Sequence, residues 1–127
     1  MLADQWCEVR CSLEVPSTYR ETEAAVEGLE RMEELELSGG VVLIDGKVAA
    51  YCLGERLDNN TFVVHFEKAR PGIEGLAQLL SRDYCAKTIR NFKFVNREQD
   101  LGDPGLRQAK RGYNPVHMAE KFTLKPL

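Results

Sequence analysis

Val41-Val42-Leu43-Ile44-Asp45-Gly46-Lys47-Val48-Ala49-Ala50-Tyr51-Cys52-Leu53 is the stretch that decides the fold of this chain. Two apolar runs flank Asp45-Gly46, and that dipeptide suits the type I′ turn whose twist matches paired strands, so the segment predicts a β-hairpin. Gly54 to Asn60 reads as a polar turn, and Thr61-Phe62-Val63-Val64-His65-Phe66-Glu67 supplies a third strand. Such short connections make the three neighbouring strands antiparallel.

Toward the N-terminus, Thr18 to Glu36 is helical in pattern: Ala25, Leu29 and Met32 recur at four and three residues, Val26 and Leu35 widen the stripe, and seven glutamates cover the rest. Ser38-Gly39-Gly40 is expected to end that helix. Before it, Pro16-Ser17 marks a break, and Met1 to Val15, with Trp6 and two cysteines, reads as a packed arm. Toward the C-terminus, Lys68 to Gly75 leads into a helix running to about Lys87, with Ile73, Leu76, Leu80 and Tyr84 along one side. Phe92 to Val95 is the next strand and Val116 to Leu124 the last. The expected fold is α/β (α+β): a mixed, largely antiparallel sheet flanked by helices, in one domain with an arm over 1–17 and a core over 18–127.

The 127 residues, 43% apolar and 29% charged, suit one soluble globular domain with a real core. No apolar run approaches the roughly 20 residues that span a bilayer, and Met1 to Arg10 lacks the pattern of a signal peptide, so the expected location is cytoplasmic. Cys7, Cys11, Cys52 and Cys85 are scattered, form no zinc-like set, and read as reduced thiols. Charge is segregated: residues 1–37 hold 3 basic and 10 acidic side chains, and residues 87–127 hold 9 and 4. A basic C-terminal third attracts phosphate-bearing ligands, coenzyme A and tRNA among them, and it equally suits a solvated face set against the acidic helix.

That third contains Asn96-Arg97-Glu98-Gln99-Asp100-Leu101-Gly102-Asp103-Pro104-Gly105-Leu106-Arg107-Gln108-Ala109-Lys110-Arg111-Gly112-Tyr113, a strand-to-helix connection of the kind that carries ligand sites in α/β sheets. Asp103 is a natural N-cap, Pro104 fits the first helical position, and Gly112 is expected to end the helix in the left-handed conformation. Glu98 and Asp100 are the available bases. Arg97, Arg107 and Lys110 are the available cations, and Arg70 with Gly72 and Gly75, at the opening of the preceding helix, can receive a phosphate on free backbone amides. The competing arrangement is an ion-pair network of Arg97, Glu98, Asp100 and Arg107 that only fixes the loop. His65 reads as a core or edge histidine, His117 has no evident partner, and Glu67-Lys68 either borders the site or is a plain surface pair. Aromatic residues do not interleave with basic ones, which disfavours sequence-specific DNA binding.

The element order resembles the core of the GNAT acyltransferases, and Leu106 to Tyr113 is similar to that family's common closing helix. Val64-His65-Phe66-Glu67-Lys68-Ala69, Asn96-Arg97-Glu98-Gln99-Asp100-Leu101-Gly102 and Gly105-Leu106-Arg107-Gln108-Ala109-Lys110 more closely resemble a bacterial group related to the C-terminal domain of phosphatidylglycerol lysyltransferase. The resemblance implies a two-repeat architecture of which this chain is the second, C-terminal half. It also implies an acyl-CoA or aminoacyl-tRNA donor, an amine or hydroxyl acceptor, and a second GNAT-like repeat or a second copy of the chain as partner. The lysyltransferases' membrane-spanning portion has no counterpart here. Where many GNAT enzymes carry a tyrosine acid this sequence has Arg107, and Tyr113 falls on a position where core packing is expected. A catalytically silent module that binds a ligand or another chain is the alternative implied by those departures.

Overall fold

The computed structural model describes residues 16–99 and 102–127. Cys7, Cys11 and residues 1–15 of the expected arm lie outside the described residues, as does Asp100, whereas Pro16 and Ser17, expected as a break, open the first helix. The elements run α1 (Pro16–Glu30), β1 (Ser38–Ile44), β2 (Lys47–Arg56), β3 (Thr61–Ala69), α2 (Leu76–Lys87), β4 (Phe94–Asn96) and α3 (Pro104–Arg111). The sheet order is β1-β2-β3-β4, with β1, β2 and β3 antiparallel and β4 parallel to β3. The mixed, largely antiparallel sheet is thus present, and the hairpin turns at Asp45 and Gly46, both at positive φ as a type I′ turn requires.

Alternation along β2 splits the core between the two faces of the sheet. Ala50 and Cys52 join Phe62, Val64, Leu76, Leu80, Tyr84 and Ile89 on the α2 side, whereas Tyr51 and Leu53 pack with Leu29, Met32 and Phe66 on the α1 side. Each fully buried side chain of this kind contributes about 2 kcal/mol. Among the described residues no helix is long and apolar enough to cross a membrane.

Three local readings are corrected by the structure. The first helix is regular only to Glu30; residues 31–36 form turns, Glu36 takes the left-handed conformation at φ 53, and Leu37 N–H donates to the Met32 carbonyl. Gly39 and Gly40 therefore do not end the helix but enter β1, where a Cβ on Gly39 would lie 2.8 Å from the Cys52 carbonyl. At the end of α3, Gly112 stays right-handed (φ −61), and Asn114 at φ 52 is the residue that reverses the chain. Val116 to Leu124 is not a strand. Its alternation is real, but the adjacent strand β4 is three residues long, and the segment pairs with no sheet edge among the described residues; Val116, Met118, Phe122 and Leu124 are 88, 67, 80 and 94% exposed.

Candidate functional site at a β-bulge

The site begins with a register fault. Gly54 of β2 pairs with Val64 and Leu53 with Phe66, so His65 is an extra residue facing no partner. Such a bulge changes which face of the sheet each later residue meets. Here it explains why Val64 belongs to the α2-side core and Phe66, only two residues on, to the α1-side core. It also explains Gly54: a Cβ there would lie 2.3 Å from the Val63 carbonyl oxygen. An isolated glycine inside a strand is the sequence signal for such a fault, and Gly54 lies within β2 rather than in the expected turn.

The parallel pairing of β4 brings the charged stretch alongside the bulge. Thr61, Phe62 and Val63 pair with Phe94, Val95 and Asn96, so the residues after Asn96 continue past the second half of β3. Arg97 donates to Glu67 Oε2 at 2.5 Å and to Ser81 Oγ of α2 at 3.1 Å, and its guanidinium lies 4.1 Å from the centre of the Tyr113 ring. Glu67 and Arg97 are only 16 and 22% exposed. Lys110 Nζ donates to the Arg97 carbonyl, which ties α3 to the same residue. Tyr113, expected in the core, is instead 41% exposed and serves as the face on which Arg97 stacks.

Glu98 takes the left-handed conformation, φ 60, with its N–H donating to Asn96 Oδ1 at 2.8 Å. This backbone turn directs the Glu98 side chain to the bulge, where Oε1 lies 2.6 Å from His65 Nδ1. On the other ring nitrogen, Nε2, Glu55 of β2 approaches to 3.3 Å. Burial works against charge on the imidazole, but the hydrogen bonds to Glu98 and Glu55 outweigh it and raise the pKa above the ordinary histidine value. Among the described residues, Arg97 pairs with Glu67 and Glu98 with His65; Asp100 of the expected network lies outside the described residues.

The remaining expected residues sit around this centre. Gly72 and Gly75 are left-handed, at φ 83 and 78, with open space where a Cβ would project, and Gly75 caps α2 without a side-chain bond. Arg70 follows β3 and donates to the Val48 carbonyl at 3.3 Å. Arg107 is exposed on α3, whose N-cap Asp103 accepts from the Leu106 N–H, with Pro104 next as expected. Glu55, Ser81 and the bulged placement of His65 carry no local sequence signal, and Glu55 lies within β2 rather than in the expected turn. Among the described residues no cluster of three or more histidine, cysteine or acidic side chains could hold a metal ion.

The arrangement combines a part-exposed carboxylate held by one oxygen, a histidine bracketed by acids, and cations on the β4–α3 connection and on α3. Comparison with known proteins bears on the fold and the family. A conserved protein of unknown function from Bacteroides thetaiotaomicron VPI-5482 superposes with a TM-score of 0.85 at 34% identity, over 92% of this chain and 40% of that one. The chain therefore spans less than half the length of that relative. A ribosomal-protein-alanine N-acetyltransferase from Brucella melitensis biovar Abortus 2308 superposes with a TM-score of 0.53 at 12% identity, over 98% of this chain and 90% of that one, which shows a shared GNAT-like fold. No curated protein matches. The family described as phosphatidylglycerol lysyltransferase, C-terminal, matches residues 1–125. With its bulged third strand, parallel fourth strand and charged connection, the chain belongs to that phosphatidylglycerol lysyltransferase C-terminal family and carries its GNAT-like fold.

Proposed function

We propose that this chain is a transferase domain that passes an acyl or aminoacyl group from acyl-CoA or aminoacyl-tRNA to an amine or hydroxyl acceptor. The observation that carries the reading is Glu98, a part-exposed carboxylate fixed at 2.6 Å by His65, in a chain whose family is named for aminoacyl transfer. The acceptor gives its proton to Glu98 as its lone pair attacks the donor's carbonyl carbon. The bond from that carbon to the donor's sulfur or oxygen then breaks, and the departing atom takes up the proton. Asp100 is the second candidate base. Arg70, Gly72, Gly75, Arg97, Arg107 and Lys110 are assigned to the phosphate-rich donor, with the start of α2, which no side chain caps, and the exposed Arg107 side chain best placed for it.

In this reading the chain is one GNAT-like domain equivalent to the C-terminal half of a two-repeat protein. A second GNAT-like repeat or a second copy closes the cleft, and the location is cytoplasmic. One observation favours the other class, a catalytically silent binding module: the Arg97 charge is already taken up by Glu67.

The test is a thermal-shift series with coenzyme A, acetyl-CoA and lysyl-tRNA. A ligand that binds only the folded chain adds about 2.7 kcal/mol of stability at one hundred times its Kd. A rise with the CoA compounds supports ordinary acyl transfer, a rise with lysyl-tRNA supports aminoacyl transfer, and no rise with any of them leaves the silent module.

A further inference from the structure

The Glu55–His65–Glu98 line is more specific than an acidic neighbourhood. A β-bulge displaces His65 from the strand register, and Glu98 reaches it through a left-handed backbone that a glutamate adopts only at a cost. Two independent departures from regular structure thus converge on one hydrogen bond. The other charged groups nearby, Glu67 of β3 and Arg97 of the connection, are paired with each other.

We propose that His65 is the positioning residue for Glu98: its Nδ1–H holds Glu98 Oε1 and leaves Oε2 as the oxygen that receives the acceptor's proton, while Glu55 faces Nε2 and pairs with it only when the ring is doubly protonated. This rests on the reading of Glu98 as the base. The two contacts are unequal, 2.6 Å to Glu98 and 3.3 Å to Glu55. When the doubly protonated ring loses a proton, the remaining hydrogen stays on Nδ1, on the shorter bond, and Glu55 is the carboxylate released. Glu98 is therefore held in both charge states of the ring. This assignment is opposite to the Nε2–H form that free imidazole side chains prefer, and that makes it measurable.

The experiment is nitrogen-detected NMR of the full chain with labelled histidine. Only two histidines are present, His65 and His117, so a His117→Asn variant assigns the signals. Expected is a neutral His65 in the Nδ1–H form, converting to Nε2–H in Glu98→Ala and remaining Nδ1–H in Glu55→Gln. An Nε2–H ring in the wild-type chain, or one indifferent to Glu98→Ala, overturns the proposal. The tautomer is read without donor or acceptor, so this failure is distinct from failure of the transferase reading in the ligand series. Where transfer is observed with lysyl-tRNA or acetyl-CoA, His65→Phe lowers kcat at least tenfold with donor KM unchanged, and an equal loss in both would mark a merely structural histidine. Thermal melting of His65→Phe confirms that the variant compared is folded.

Discussion

Gly54 lies where β2 passes the bulge of β3, and its missing side chain is what lets the strands stay paired. A methyl group there would meet the Val63 carbonyl at 2.3 Å and the Phe62 ring at 2.6 Å, neither of which can retreat without opening the ladder or the core. Gly54→Ala is expected to cost about 3 kcal/mol, read as a lower urea midpoint with unchanged slope. Arg97 sets a different kind of limit. Its removal leaves Glu67, 16% exposed, without its counter-charge and strips Tyr113 of its stacked partner. Arg97→Ala is expected to cost about 2 kcal/mol, less than a fully buried pair because both groups keep some solvent. In Arg97→Ala/Glu67→Gln much of that loss should return, and a double variant no more stable than the single one would show that the pair is not what matters. His65 gives stability a pH dependence. Its folded pKa is raised, so its contribution is complete below the unfolded value near 6.5 and disappears as pH rises through the folded value. A urea titration from pH 5 to 9 should show this alkaline loss in the wild-type chain and not in His65→Phe.

Among the elements, α3 shows how local chemistry fixes a helix without burial. Asp103 accepts from Leu106 N–H at 3.0 Å and Pro104 sits at the first helical position, yet the helix buries no residue. Asp103→Ala is expected to cost about 1 kcal/mol of helix stability. With no core contact to transmit it, the loss should appear as faster amide exchange over Arg107 to Arg111 and leave the global unfolding midpoint unchanged. The cap, the proline and the Asp45-Gly46 turn were legible in the sequence because each is a signal within a few residues, and the α2 stripe was legible because its period is regular. The bulge was not, because Val63-Val64-His65-Phe66 is apolar on both faces and its phase change is visible only from the pairing with Leu53 and Gly54. For the same reason the stretch from Asn96 to Lys110 was recognisable as a site while its partners were not: Glu55, Glu67 and Ser81 come from β2, β3 and α2, and only the parallel β3–β4 pairing delivers them.

At the scale of the whole molecule, the C-terminal segment is the part whose pattern and surroundings disagree. Val116, Met118, Phe122 and Leu124 recur at strand spacing on one face, interrupted by Glu120, and all four are largely exposed, with Lys121 Nζ to Gln99 Oε1 at 3.2 Å as a side-chain tether. Residues that bury so little contribute little to the fold of one chain, so a chain ending at Asn114 is expected to melt within about 2 °C of the full one, well below the 4–8 °C that 1 kcal/mol shifts a small domain. An exposed apolar strand pattern does have a use between chains, where backbone pairing supplies the hydrogen bonds it lacks alone. For a second copy, one of the two partners proposed above, the charge distribution is suitable: α1 and its following turns carry seven glutamates, the C-terminal third is basic, and a two-fold arrangement would set each against the other. Sedimentation velocity at tens of micromolar should then find a dimer that weakens with added salt, and the chain ending at Asn114 should be a monomer of unchanged stability. A full-length monomer would remove the second copy as partner, and a dimer that survives the truncation would place the contact away from this segment. The two measurements together separate what the last thirteen residues do for the fold from what they do for assembly.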